Sequence, residues 1–206
     1  MIQFGLAGQR EKLALEGSYP QALKRRPLYH QWRTYDALHD VPVVINTYNT
    51  GTGKTQAALL HLLDQPTSDV LFIAPTNELI AQHVRSIRAF VDRHELDFAV
   101  MPARAADVAS LPNPDSLRKG ELLHRLITNY TEFSDATRRK PLVMVTNPDI
   151  FYYALFFRYG MHDQRNLFSD FIRRFNYIVI DEFHYYNNKQ MANFLFALAL
   201  FQEWGY

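Results

Sequence analysis

The stretch that most limits what this chain can fold into is Val43-Val44-Ile45-Asn46-Thr47-Tyr48-Asn49-Thr50-Gly51-Thr52-Gly53-Lys54-Thr55. A β-branched run enters a glycine-rich turn, and the turn opens onto Gln56-Ala57-Ala58-Leu59-Leu60, which reads as helix. Strand, loop, helix is the order a phosphate-binding P-loop requires. Gly51 and Gly53 let the backbone take positive φ and approach an anion closely. The N–H groups along Thr50, Gly51, Thr52 and Gly53 then form the cradle, backed by the start of the helix. Lys54 supplies a charge for the β- and γ-phosphates, and the Thr55 hydroxyl is placed to hold Mg²⁺. One residue departs from the pattern G-x-x-x-x-G-K-T: the position of its first glycine is Tyr48.

Phosphate binding alone is not hydrolysis, which needs a carboxylate to position Mg²⁺ and a second group to handle water. Far along the chain, Tyr177-Ile178-Val179-Ile180 reads as an apolar strand whose end carries Asp181-Glu182-Phe183-His184. In open parallel sheets, sites collect at the carboxyl ends of strands. The expectation is that both motifs meet in one crevice, with Asp181 holding the metal's water shell and Glu182 taking the proton from the attacking water.

Between these motifs, Val70–Ala74, Leu96–Met101 and Pro141–Thr146 read as further strands, and Asn77 to about His94 as a long helix capped by Thr76. Leu28, Trp32, Tyr35 and Leu38 form one helical stripe, with Gln31 off it. Gln31 reads either as an exposed helix residue or as a carboxamide that meets an adenine edge. Asn187–Trp204 reads as a final helix with an apolar face. The alternation predicts an α/β fold, a three-layer sandwich on a mostly parallel sheet. The expected domains are a lead-in over 1–30 and one nucleotide-binding domain over 31–206, with a helical insertion at 102–140 where Pro102, Pro112 and Pro114 break the chain. The aromatic residues of 150–175 read as core packing at helical spacing or as base-stacking groups.

A formal net charge of +1 implies no bulk attraction to nucleic acid, so any such site must be local. With no cysteine there is no disulfide or thiolate metal site, which fits a reducing compartment. The longest apolar run, Phe194–Phe201, is far short of the roughly 20 residues of a membrane span. No membrane association and a cytoplasmic location are expected.

Taken together, the motifs resemble those of the superfamily 2 helicases and translocases. Asp181-Glu182-Phe183-His184 is similar to their DExH box, and the 48–55 loop to their motif I. Pro75-Thr76-Asn77-Glu78-Leu79-Ile80-Ala81-Gln82 is similar to motif Ia, and Thr146-Asn147-Pro148-Asp149 to a later Thr-x-Pro-Asp element. The resemblance implies an incomplete RecA-like domain that binds ATP and Mg²⁺, with Gln31 on the adenine. It also implies Thr76, Gln82, Thr146 and Pro148 on single-stranded DNA, and His184 coupling hydrolysis to movement. Within the superfamily, the aromatic context of Asp181-Glu182-Phe183-His184, the Asn46–Thr55 loop and the Val145–Phe151 element look most like the helicase of type I CRISPR interference, with type I-D favoured. That implies an RNA-guided effector complex and a separate nuclease subunit as partners, since His39-Asp40 and His162-Asp163 bring no nuclease ligand set. The family motor needs a second RecA-like domain, expected from the same longer chain, and the isolated segment is expected to turn over little ATP. A nucleotide-gated binding module, docking through 102–140 without processive movement, is the alternative.

Overall fold

A computed structural model describes residues 12–21, 23–48, 51–133, 139–156 and 173–203. Thr50, the His162-Asp163 pair, Trp204 and the aromatics from Phe157 to Phe171 lie outside the described residues. The chain divides into two compact units, Met1–Gln65 and Pro66–Tyr206.

The first unit is helical. Helices α1 (Tyr29–Ala37), α2 (Lys54–Leu59) and α3 (His61–Asp64) follow an isolated antiparallel bridge between Leu13 and Leu28. The apolar stripe predicted for α1 is only partly covered, and the buried residues of that helix are instead His30 and Gln31. Val43–Thr47 is the clearest departure from expectation, because it forms no strand. Val43 is 53% exposed and Ile45 79%, so the β-branched side chains are not packed. Such residues favour strands chiefly by packing against neighbouring strands. Among the described residues of this unit there is none. The run is held by side chains instead: Asn46 Nδ2 donates to Thr34 Oγ1 (3.0 Å), and Asn46 Oδ1 accepts from Tyr48 N (3.1 Å). At the far end of α1, the Tyr35 hydroxyl donates to Asp64 Oδ2, which His39 Nε2 also meets at 3.3 Å.

The second unit is a four-stranded, all-parallel sheet in the order β2-β3-β1-β4, built from β1 (Val70–Ile73), β2 (Ala99–Ala103), β3 (Leu142–Thr146) and β4 (Tyr177–Ile180). Helix α4 (Asn77–Arg93) follows β1. Helices α5 (Ala105–Ala109) and α6 (Lys119–Thr128) connect β2 to β3, α7 (Pro148–Phe156) follows β3, and α8 (Asn188–Glu203) follows β4. Leu71, Ile73, Leu142, Met144, Ile178 and Ile180 share one face and pack with Val108, Leu122, Leu126, Phe151 and Phe194 from α5 to α8. The other face meets α4, whose His83 ring lies against Phe72 with centroids 4.7 Å apart. Helices on both faces make the three layers, and explain why β1 and β3 are buried throughout.

Two further details refine the sequence reading. The segment read as an insertion is the β2–β3 crossover, and Val108, Leu122, Leu123, Leu126, Ile127 and Tyr130 are core residues. Pro102, expected to break the chain, lies inside β2. That strand is at the sheet's edge, where proline costs no ladder bond, and Arg88 Nη2 donates to the Val100 carbonyl at 3.0 Å. A bond to a carbonyl and a proline are both devices that blunt an edge against further pairing.

Candidate functional site

In the first unit, the loop of motif I turns as its glycines require. Gly51 has φ +85° and Gly53 φ +81°. Gly53 immediately precedes α2, so Lys54 and Thr55 are its first two residues. A side chain at 53 is disfavoured on two counts: the left-handed backbone strains it, and its Cβ would stand 2.5 Å from Gln31 Nε2, so that the carboxamide would have to move. That contact reveals what Gln31 does. Its Nε2 donates to the Gly53 carbonyl (3.1 Å), while its Oε1 accepts from Leu28 N (2.9 Å). The carboxamide therefore fastens the start of α1 to the loop, and with 8% exposure it is not the surface glutamine of the plainer reading. Tyr48, standing where a glycine was expected, stacks on His30 with ring centroids 4.2 Å apart. The same helix that supplies Gln31 thus also holds the loop's entry.

In the second unit, the register places Ile73, Ala103, Thr146 and Ile180 at one level, so β1, β2, β3 and β4 end together. The motif residues that follow these strands share this rim. Asp181 continues the ladder, its N–H donating to the Ile73 carbonyl at 2.9 Å. Glu182 then leaves extended geometry abruptly, with φ 49° and ψ 47°. A non-glycine residue in the left-handed region carries strain of about 1–3 kcal/mol. The bend sends Phe183–Tyr185 into a 3₁₀ turn. Glu182 Oε2 is buried and receives no hydrogen bond from the described residues, while His184 Nδ1 stands 3.3 Å away. His184 itself is exposed.

The residues assigned to nucleic acid are placed unequally. Thr76 caps α4, its Oγ1 accepting from Leu79 N at 3.3 Å, and Gln82 is exposed on that helix. Thr146 is fully buried, its hydroxyl donating to the Ala103 carbonyl at 2.7 Å. Pro148 is buried at the first position of α7, and Asn147 Oδ1 caps that helix by accepting from Ile150 N at 2.9 Å. The Thr-Asn-Pro-Asp element thus has a local structural purpose: it ends a strand and starts a helix.

Sequence reasoning missed His83. Its Nε2 lies 2.7 Å from Asp181 Oδ2, with the two side chains 5% and 12% exposed. The contact is short, and its alignment is not that of an ideal hydrogen bond. The signal was present in the pattern of α4, where Ile80, Val84, Ile87 and Val91 line the buried face and His83 sits among them as a polar intruder.

Among the described residues, no group of three or more histidines or carboxylates could hold a metal ion. Mg²⁺ commonly takes one or two carboxylates beside a substrate's phosphates and keeps its waters, and the Asp181 carboxylate of the second unit is a donor of that kind.

The family model of the DEAD/DEAH box helicases matches residues 29–201. The chain belongs to the DEAD/DEAH box helicase family. It is a helicase domain, and the family supports ATP-dependent helicase activity in general. Among solved structures, the crystal structure of the DUF1998 helicase MrfA bound to DNA and AMPPNP matches with a TM-score of 0.57. Identity is 16%, over 85% of this chain and 23% of that one. At that identity the likeness speaks to the fold, and this helicase domain spans less than a quarter of the matched chain. No curated protein matches it. No helix among the described residues is long and apolar enough to cross a membrane.

Proposed function

We propose that this chain is the ATP-binding lobe of a motor that hydrolyses ATP to move on single-stranded DNA. The observation that carries the reading is Glu182. It is a carboxylate at the carboxyl rim of a parallel sheet, next to Asp181, on a strained backbone, with a buried oxygen that accepts no hydrogen bond from the described residues and has His184 Nδ1 3.3 Å away. Packed proteins rarely leave a carboxylate so, and strain of this kind gathers at functional sites. Each unit supplies part of the chemistry. Gly51, Thr52, Gly53 and Lys54 bind the phosphates, and Thr50 belongs to the same loop. Thr55 and Asp181 would hold Mg²⁺, which would supply positive charge to the phosphate oxygens. Glu182 accepts the proton of the water whose oxygen attacks the γ-phosphorus, and the bond to the β-phosphate oxygen breaks to leave ADP. Gln31 orients the loop and offers its remaining N–H to the base.

The matched helicase was crystallised with DNA and AMPPNP, which supports a DNA-directed, nucleotide-binding lobe. It is also several times longer, which leaves room in a motor of that size for the second RecA-like domain that the reading requires. Half-buried Thr76, which caps α4, and exposed Gln82 on that helix are the better candidates for the DNA backbone. Buried Thr146 and Pro148 would act by shaping the rim. The narrower reading, the helicase of type I CRISPR interference with an RNA-guided complex and separate nuclease as partners, rests on the wording of the 46–55 and 145–151 motifs.

The test is the ATPase rate of the motor containing this lobe, with and without single-stranded DNA. Lys54→Ala and Glu182→Gln should each abolish DNA stimulation, the latter by about 10²–10⁴ as expected for a lost general base, while DNA binding survives. Rates unchanged by either substitution would overturn the reading.

A further inference from the structure

We infer that His83 is a positioning residue for Asp181, holding one carboxylate oxygen so that the other is presented to the nucleotide's Mg²⁺. The inference rests on the nucleotide-site reading above and names a residue which that reading does not use.

Three observations bring it out. First, His83 sits on the buried face of α4, between Ile80 and Ile87, where an aliphatic residue would pack at no desolvation cost. Second, the ring is fixed from behind by Phe72 of β1, with centroids 4.7 Å apart and planes inclined at 41°. Third, the edge turned away from that core carries Nε2 to within 2.7 Å of Asp181 Oδ2. Asp181 is fixed from its own side as well, through its N–H to the Ile73 carbonyl. The carboxylate thus has a tethered backbone and one engaged oxygen, leaving few orientations for the second. Residues that hold a metal ligand in place commonly change metal affinity 10–100-fold when removed. A histidine kept merely to fill the core would need no carboxylate at its Nε2, and a packing role alone predicts no link to Mg²⁺.

The experiment measures binding of N-methylanthraniloyl-ATP to the 206-residue chain across a Mg²⁺ series. His83→Phe keeps the ring against Phe72 and removes the nitrogen. It should raise the Mg²⁺ concentration at half-effect about tenfold or more, while nucleotide binding without Mg²⁺ stays as in the wild type. His83→Gln carries an N–H donor to a similar reach and should return the midpoint to within a few-fold. His83→Asn falls short and should behave like the phenylalanine variant, so the Gln–Asn contrast carries the test should His83→Phe fail to fold. A wild-type Mg²⁺ midpoint in folded His83→Phe or His83→Asn would overturn the inference, whatever the melting temperature, as would equal shifts for Gln and Asn. Lys54→Ala separates the two levels. If it leaves Mg²⁺-nucleotide binding intact, the nucleotide-site reading itself fails and takes this inference with it. If it abolishes binding while the His83 variants match wild type, only the inference fails.

Discussion

The two rims of the parallel sheet are built on opposite principles. At the amino rim, where the strands begin, polar groups are paired inside the protein. Asp69, just before β1, accepts from Leu142 N at 2.6 Å and meets Arg174 Nε at 2.7 Å, and its carbonyl accepts from Asn176 N at 3.0 Å. One residue thereby ties together the starts of β1, β3 and β4. The Arg174 guanidinium lies 5.5 Å from the Tyr130 ring centroid, and that tyrosine's hydroxyl contacts both backbone atoms of Lys140 at 2.6 Å. At the carboxyl rim the backbone of Glu182 is strained, and its buried Oε2 faces the exposed His184, whose Nδ1 stands 3.3 Å away. Paired polar groups rigidify, whereas a strained backbone costs stability and persists where function requires it. The contrast assigns stability to one end of the strands and chemistry to the other.

Breaking the amino rim should have the largest effect on folding. Asp69→Ala strands the Arg174 charge in a buried setting and should cost about 3–5 kcal/mol in denaturant unfolding, with nucleotide affinity of the folded fraction unchanged. Equal loss of affinity and stability would blur the division. Thr146→Val removes a buried hydroxyl donor from the Ala103 carbonyl and should cost about 1–3 kcal/mol. DNA affinity of the motor should hold steady, in contrast to a residue that touches phosphate. Glu182→Gly relieves the left-handed backbone and should stabilise the fold by about 1 kcal/mol while ending hydrolysis, the pairing of gain and loss expected of a strained working residue.

The smallest effect is a pH dependence just past β2. Burial pushes the Asp107 carboxyl up, but hydrogen bonds from the Arg104 side chain and backbone outweigh it and hold the group below the ordinary carboxylate range. A lowered folded value means this stabilisation is complete above the ordinary carboxylate pKa and fades as the pH falls through the lowered one. Asp107→Asn should remove about 0.2–1 kcal/mol at neutral pH and flatten that acid limb.

Strands β1 and β3 were legible because each is a short, largely apolar run covered on both faces, a pattern with few other outcomes. Helix α4 was legible through its stripe and its Thr76 cap, and the positive φ of Gly51 and Gly53 through chemistry alone. What escaped was whatever depends on a partner. Val43–Thr47 has the residues of a strand, yet β-branching gives a strand only beside another one. Pro102 reads as a breaker until β2 is known to be an edge. Gln31 and His83 have ordinary sequence surroundings, and only the fold shows the first against Gly53 and the second against Asp181. Thr146 reads equally well as a phosphate contact or a buried donor, since the hydroxyl suits both.

The proposed motor requires the motif I loop and the Asp181–Glu182 pair to serve a single metal–nucleotide complex. Amide NMR spectra of the chain titrated with Mn²⁺–ATP in place of Mg²⁺–ATP test it directly, because the paramagnetic ion broadens signals from residues near it. Gly51, Gly53 and Lys54 should broaden over the same concentration range as His83, Asp181 and Glu182. Broadening of one set while the other stays sharp would contradict the claim.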